Sequence, residues 1–253
     1  MKSLFDPRLD ILPLAQKLLW PDLRSAAQLG YTLYGGTAIA IRLGHRSSVD
    51  FDFFSEKPLD RDTIKASFSF IGDAVTIQDS KDTWVVLVPV DGNGHQHVKL
   101  SFFGSITFGR IGDPSYTSDG VLQVASLEDL MATKLKVILQ RAEYKDYCDI
   151  AAMLKAGGDL ARGLAGARVL YGPNFQPAES LKALTFFGDG DLNLLSTEER
   201  KILVDAAKSV RRLPVVELIS ESLSGRSWDE LCAEERDSNR ASEPHHQVRP
   251  TRS

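Results

Sequence analysis

The sequence predicts an α+β protein whose mixed first half is followed by an all-helical second half. Between residues 31 and 124, short apolar runs with a two-residue period alternate with glycine-rich turns and short helical segments. From Ser126 to about Ser224, apolar residues recur at helical spacing instead. We therefore expect a core domain at 1–125, a helical half at 126–230 that contributes to a shared cleft, and a tail at 231–253.

The first half reads as a series of short elements. An apolar stripe interrupted by Pro13 and Pro21 predicts helix over the first thirty residues, ending at Gly30. A strand at 31–34 then meets the Gly35-Gly36 turn. The elements predicted next are a helix at 37–43, a strand at 49–54, a helix at about 60–70 capped by Asp60, strands at 74–78, 83–90 and 97–103, and a short strand at 121–124. The turn at 91–94 (Asp-Gly-Asn-Gly) predicts a hairpin.

The composition excludes several classes of protein. With 253 residues, 43% hydrophobic and 25% charged, the chain has the composition of a soluble globular protein. A formal net charge of -4 gives no overall basic surface for nucleic acid or an anionic membrane. Two cysteines predict neither a disulfide framework nor a zinc cluster. We expect a cytoplasmic protein with no membrane contact, because we find no membrane-spanning run or signal peptide.

The tail has its own composition. Residues 234–253 contain no Leu, Ile or Phe and are rich in Arg, Glu, Ser and Pro. Such a segment cannot bury enough apolar surface to offset the entropy of ordering. The sequence therefore predicts disorder there.

Residues 34–54 carry the most informative pattern. Gly35 and Gly36 let the backbone approach a ligand closely, and the helix that follows offers free N–H groups to a phosphate. Asp50 and Asp52 lie at i and i+2 on a strand, so both point from one face. Two such carboxylates can bind Mg²⁺ together with substrate phosphates.

The two acids can equally be the solvated side of a strand whose other face, Val49, Phe51 and Phe53, is buried. Phe54 places a large apolar side chain on the acidic face, which favours a partly enclosed cleft. The local pattern leaves both interpretations open.

Several motifs in order give a more specific indication. The sequence resembles the nucleotidyl transferase AbiEii/AbiGii toxin family, which has the minimal nucleotidyltransferase fold of the polymerase-β superfamily. The resemblance covers about residues 31–155. The motifs that carry it are G-G-T-A at 35–38, R-x-S-x-D-F-D-F-F at 46–54, V-K-L-S-F-F at 98–103, S-L-E-D-L-x-A-x-K-L at 126–135 and K-D-Y-x-D-I at 145–150.

This resemblance implies a nucleotidyltransferase-like mixed sheet with flanking helices and a set of site residues. Asp50 and Asp52 would bind magnesium, with two ions possible. Nucleoside triphosphate (NTP) would be the substrate. The residues expected to bind it are Gly35, Gly36, Thr37, Arg46 and Ser48.

The second half contributes a lysine and an acid. Ser126 and Asp129 form a capping box, so a helix begins there. Lys134 lies within its apolar stripe, and the family places a functional lysine at this motif. Lys134 therefore either faces the phosphates or extends its ammonium past the edge of the core. On the next helix, Asp146 lies at the margin of the buried face and is expected to position or deprotonate the acceptor hydroxyl, whereas Asp149 is expected to point toward solvent.

One position departs from the polymerase-β pattern. Many such enzymes carry a third acid on a later strand, acting as general base, and V-K-L-S-F-F has Ser101 there. A serine is a poor base at neutral pH without a partner. Three possibilities remain open. Asp146 acts as the general base, metal alone activates the acceptor hydroxyl, or the enzyme is weak or inactive.

The resulting hypothesis is a magnesium-dependent nucleotidyltransferase that moves a nucleoside monophosphate from NTP to an acceptor hydroxyl on RNA, such as tRNA. The resemblance implies a toxin of a bacterial toxin–antitoxin or abortive-infection system, with a cognate antitoxin as partner. Two alternatives stay open. The acidic net charge favours a small-molecule, antibiotic-type nucleotidyltransferase, and Ser101 favours a non-catalytic module that binds nucleotide or antitoxin.

Overall fold

The computed structural model describes residues 4–90 and 96–233, in which eight strands form one mixed sheet. The strands are β1 (Leu4–Phe5), β2 (Thr32–Tyr34), β3 (Asp50–Phe54), β4 (Val75–Ser80), β5 (Thr83–Pro89), β6 (His97–Phe103), β7 (Ser115–Thr117) and β8 (Gln123–Val124). Their order across the sheet is β1-β7-β8-β2-β3-β6-β5-β4. The predicted α+β class is confirmed, with β3 near the middle of the sheet.

Helices flank this sheet and build most of the second half. They are α1 (Leu14–Leu19), α2 (Arg24–Gln28), α3 (Gly35–Leu43), α4 (Arg61–Ser67), α5 (Leu127–Val137), α6 (Tyr144–Lys155), α7 (Leu160–Tyr171), α8 (Pro177–Thr185) and α9 (Thr197–Ser209). Asp60 caps α4 by accepting a hydrogen bond from the Thr63 N–H, as predicted. None of the helices described in the two ranges combines the length and the apolar character needed to cross a membrane.

The pairing of β3 determines which side chains meet. It runs antiparallel to β2 and parallel to β6. The β6 register sets Asp50 opposite Lys99 and Asp52 opposite Ser101. Because residues at alternate positions share one face, these four side chains lie on the same side of the sheet.

The other face of β3 belongs to the hydrophobic core. Phe51 and Phe53 are fully buried and stack on each other with ring centroids 6.3 Å apart. The same core includes buried residues of the helical half, such as Leu130 and Ile150, and α3 packs against α5 and α6. The two halves therefore share one continuous core.

Some predicted boundaries differ from the structure. Val49 precedes β3 and is 54% exposed, so the predicted alternation begins one residue later. Helix does not continue to 224: α9 ends at Ser209, and the chain beyond it forms a bridge between Arg110 and Ser220. Pro214 lacks the N–H that a helix interior requires, so regular helix does not run through this position.

Strands β1 and β7 were not predicted, because two or three residues are too few to show a period. The predicted hairpin turn at 91–94 lies outside the described residues, as does the predicted disorder of 234–253. Residues 231–233 are helical and Leu231 is buried, so the expected tail does not begin at 231.

Candidate active site

A cavity of about 630 Å³ lies over the sheet face that carries the β3 carboxylates. It is bounded by the start of α3, the loop before β3, strands β3 to β6, and helix α5. Seven of the predicted site residues line it: Gly35, Gly36, Arg46, Ser48, Asp50, Asp52 and Lys134. The structure thus brings together residues that are up to 99 positions apart in the sequence.

The two carboxylates differ in their surroundings. The Asp50 side chain is 33% exposed, whereas burial raises the pKa of Asp52. A hydrogen bond with Ser101 opposes this rise in pKa, and the negative charge of Asp50 adds to it. A carboxylate in this position is stabilised by any cation that enters the cavity.

Aromatic rings close the same face of β3. Phe54 stacks on Tyr34 with ring centroids 4.9 Å apart, and Phe103 meets Phe54 edge-on at 4.9 Å. All three rings line the cavity. The acidic face therefore lies in a cleft, as the position of Phe54 indicated, and metal binding by the two acids stays a prediction.

Glycine is required at the bend from β2 into α3. Gly35 has a φ of +74°, and a Cβ there would lie 2.5 Å from Asp52 Oδ2. A Cβ on Gly36 would lie 2.4 Å from Arg46 Nη2. The bend therefore lets the start of α3 approach the acid and the guanidinium closely, and Tyr34 adds no side-chain cap to that helix end.

Thr37 lies apart from the cavity. It is 1% exposed, and its hydroxyl lies 2.8 Å from Ser48 Oγ and within hydrogen-bond distance of the Asp50 carbonyl oxygen. The Thr37 side chain is therefore not part of the cavity lining, and its contact with nucleotide stays a prediction. The side chain instead fixes α3 to the chain that enters β3.

Behind the cavity, Lys134 belongs to a buried network of ion pairs. Its Nζ lies 2.6 Å from Asp146 Oδ1 and 2.7 Å from Asp149 Oδ2. Arg46 binds Asp149 through two nitrogens, at 2.7 and 2.9 Å, and the Arg141 Nε lies 2.8 Å from Asp146 Oδ2. Lys134 therefore extends neither to open solvent nor to a lone partner: two carboxylates hold it at the cavity wall.

The prediction that Asp149 points toward solvent is wrong. Its side chain is fully buried and also lies 2.8 Å from His45 Nε2. Burial alone would raise the pKa of Asp149, but hydrogen bonds with His45 and Arg46 outweigh it and hold the pKa well below its usual range. The prediction considered α6 alone, whereas α3 and α5 pack against the side it assigned to solvent.

Asp146 is equally buried and does not line the cavity. Its two oxygens bind Lys134 and Arg141. A carboxylate so engaged cannot reach an acceptor hydroxyl in the cavity, so the expected role as its base has no geometric support. Asp146 positions two cations that do line the cavity.

Sequence reasoning missed the roles of three residues at this site. Lys99 lines the cavity and its Nζ lies 2.7 Å from Asp50 Oδ2, while Arg141 and His45 bind Asp146 and Asp149. The alternation of Lys99 and Ser101 along β6 is visible in the sequence and indicates that they share one face. Their position opposite Asp50 and Asp52 depends on the long-range pairing of β6 with β3, which the local sequence does not indicate. The i, i+3 spacing of Asp146 and Asp149 could have indicated that both share one helix face.

The carboxylate pair fits a magnesium ion only together with substrate. In the described ranges, no group of three or more His, Cys, Asp or Glu side chains could hold a metal. Mg²⁺ commonly uses one or two carboxylates and completes its shell with phosphate oxygens and water. Asp50 and Asp52 supply hard oxygen ligands of that number, in a place where added positive charge is favourable.

Comparisons with known proteins are consistent with this geometry. The family model described as nucleotidyl transferase AbiEii toxin, type IV toxin–antitoxin system, matches residues 19–226. An uncharacterised protein of Aquifex aeolicus (strain VF5) is 36% identical over 162 residues, which is 63% of this chain and 74% of the relative.

A solved structure is similar in fold. MenT4, a nucleotidyltransferase toxin from Mycobacterium tuberculosis H37Rv, superposes with a TM-score of 0.50 at 14% identity, covering 78% of this chain and 83% of that one. At this identity the similarity concerns the fold, and it confirms the predicted nucleotidyltransferase-like sheet with flanking helices.

Proposed function

This chain belongs to the AbiEii family of nucleotidyl transferase toxins and is a nucleotidyltransferase, and from that premise we propose its reaction and its targets. In a reaction that requires Mg²⁺, it moves a nucleoside monophosphate from an NTP to an acceptor hydroxyl on RNA. The main expected RNA target is tRNA. It acts in the cytoplasm, where both substrates occur, and a cognate antitoxin restrains it.

The observation that carries this proposal is the position of Asp50 and Asp52. The two acids lie on the same face of β3, beside the Gly35-Gly36 bend and in the same cavity as Lys134. Its volume of about 630 Å³ falls in the range of pockets that hold small ligands. An apolar part, which includes Val85 and Phe103, offers a surface for a base or ribose.

Fixed cations around the cavity suit a polyphosphate. Asp149 holds Arg46 and Lys134, and Asp146 holds Lys134 and Arg141, so these cations do not have to be ordered when substrate arrives. An ammonium group has three N–H donors, and the two acids use two of those of Lys134. The third remains for a phosphate oxygen.

The chemistry is the displacement of pyrophosphate at the α-phosphorus. The acceptor oxygen forms a bond to that phosphorus as the bond to the bridging oxygen of pyrophosphate breaks, and the hydroxyl proton passes to solvent water. Asp50 and Asp52 would hold the magnesium ion, which would supply charge neutralisation at the phosphates. The chain itself contributes orientation and preorganised charge, which carry most of the rate in phosphoryl-group chemistry.

Incorporation of label tests the proposal. Purified protein is incubated with Mg²⁺, each of four α-³²P-labelled NTPs, and either total RNA or a panel of aminoglycosides, with an Asp52→Ala variant as the control. Label in RNA that requires Mg²⁺ and Asp52 supports the proposed reaction. Label only in the drug indicates a small-molecule enzyme, and nucleotide binding without transfer or metal dependence indicates a non-catalytic module; either result contradicts the proposal.

A further inference from the structure

We infer that this site binds one divalent cation, and that the ammonium group of Lys99 supplies the second positive charge at the carboxylate pair. The inference rests on the proposed function and concerns how its metal site is built. Lys99 is a positioning residue in this scheme, because it acts through Asp50.

The register of two parallel strands puts Lys99 at this place. β3 and β6 pair so that Lys99 lies opposite Asp50 and Ser101 opposite Asp52. The Nζ of Lys99 lies 2.7 Å from Asp50 Oδ2, with the two side chains 35% and 33% exposed. The cation is thus partly shielded from solvent and lies in the cavity, on the face where metal would bind.

The available oxygens are enough for one ion. Two carboxylates offer four oxygens, of which Lys99 occupies one on Asp50 and Ser101 engages Asp52 by a hydrogen bond. The oxygens that remain, with phosphate and water, suit one octahedral Mg²⁺. A pair of ions about 4 Å apart needs carboxylates shared between them, and Ser101 brings no charge to a further position.

Asp50 already has a cationic partner without metal, whereas Asp52 is engaged by the uncharged Ser101. Behind the cavity, Asp146 and Asp149 are engaged by Lys134, Arg46 and Arg141. A second dication would have to displace the Lys99 ammonium from Asp50 and remain beside it, against like-charge repulsion.

Binding of Mn²⁺, followed by electron paramagnetic resonance, tests the inference without relying on activity. Full-length protein is titrated with Mn²⁺ alone and with each of four α,β-methylene nucleoside triphosphates. We expect one Mn²⁺ per chain for the wild type and for K99R, which keeps the charge. K99M should bind Mn²⁺ about tenfold more tightly, since no ammonium competes for Asp50, and K99M/S101D should bind two ions.

The control is K201M, which removes an exposed lysine paired with Asp205 on α9 and should leave Mn²⁺ binding unchanged. Two Mn²⁺ ions on the wild type with nucleotide, or unchanged Mn²⁺ binding by K99M, would overturn the inference and leave the proposed reaction standing. Absence of both Mn²⁺ and nucleotide binding in the wild type would contradict the proposed function itself. If K99M/S101D fails to fold, Mn²⁺ binding by the wild type, K99R and K99M still tests the inference.

Discussion

At Asp52, function and stability make opposite demands. Burial and the charge of Asp50 raise the pKa of this carboxyl, so its ionised form destabilises the folded chain. A carboxyl whose pKa rises on folding binds its proton more tightly in the folded state. Its contribution to the free energy of unfolding is therefore largest at low pH and declines as pH rises through the folded-state pKa.

The variant Asp52→Asn should separate these two demands. The amide removes the buried charge and its oxygen still accepts a hydrogen bond from Ser101, so we expect a free energy of unfolding at pH 7 equal to or above that of the wild type. This advantage should shrink at pH 4, while transfer activity falls by at least about a hundredfold. Urea unfolding at both pH values and the labelled-NTP assay measure these effects, with exposed Asp73→Asn as control. A variant that is clearly less stable at pH 7, or fully active, would contradict this account.

Asp149 shows the reverse behaviour, because its cationic partners lower its pKa on folding. Its contribution to stability is complete above the unfolded-state pKa of about 3.9 and is lost as pH falls from there toward the folded-state pKa. Asp149→Asn leaves Arg46 and Lys134 with a neutral partner, so we expect a loss of about 3 kcal/mol at pH 7. That loss should diminish below pH 4.

Chemical denaturation across this pH range measures the effect of Asp149→Asn. The matched control is Asp205→Asn, which breaks an exposed i, i+4 pair with Lys201 and should leave stability nearly unchanged. A similarly small change for Asp149→Asn would mean that the network contributes little to the fold.

Among the structural elements, the β2–α3–β3 unit could be predicted well from the sequence. The Gly35-Gly36 break and the alternation of Asp50 and Asp52 are local patterns, and both appear in the structure at the expected places. Lys99 and Asp149 could not be assigned in the same way. Their partners depend on which strand pairs with β3 and which helices cover α6, and neither is encoded in a short window of sequence.

The bend at Gly35 gives a prediction for this unit. Gly35→Ala combines a positive φ, which costs a residue with a Cβ about 1–2 kcal/mol, with a methyl group placed against Asp52 Oδ2. We expect lower stability together with weakened Mn²⁺ binding and transfer, because the carboxylate has to move.

The chain provides a matched control at Gly157. This residue has a φ of +94°, and a Cβ added there would meet no atom of the described residues within 4 Å, so Gly157→Ala carries the backbone strain without a collision. It should lose stability to a similar extent and keep Mn²⁺ binding. Thermal unfolding and Mn²⁺ titration distinguish the two variants, and equal Mn²⁺ affinity in both would show that the close approach of Gly35 to Asp52 does not matter.

For the whole molecule, the change of periodicity near residue 125 marks a change of architecture but does not separate two cores. Buried residues of α5 and α6 pack in the same cluster as those of β2 and β3. The Arg46–Asp149 pair joins the loop before β3 to α6, and the cavity takes Asp52 from one half and Lys134 from the other. The functional site therefore exists only when both halves are folded together.

Unfolding should accordingly be a single transition. All three tryptophans report on the first half: Trp20 and Trp84 are buried in its part of the core, and Trp228 packs on Tyr116. Ellipticity at 222 nm reports mainly on helices α5 to α9. Because the halves share one core, we expect tryptophan fluorescence and ellipticity to give coincident midpoints in urea. We also expect a fragment of residues 1–125 to lack cooperative unfolding, because removal of α5 and α6 exposes the apolar side of α3. Separate midpoints, or a fragment with a sharp transition of its own, would show instead that the sheet and the helical half fold as independent domains.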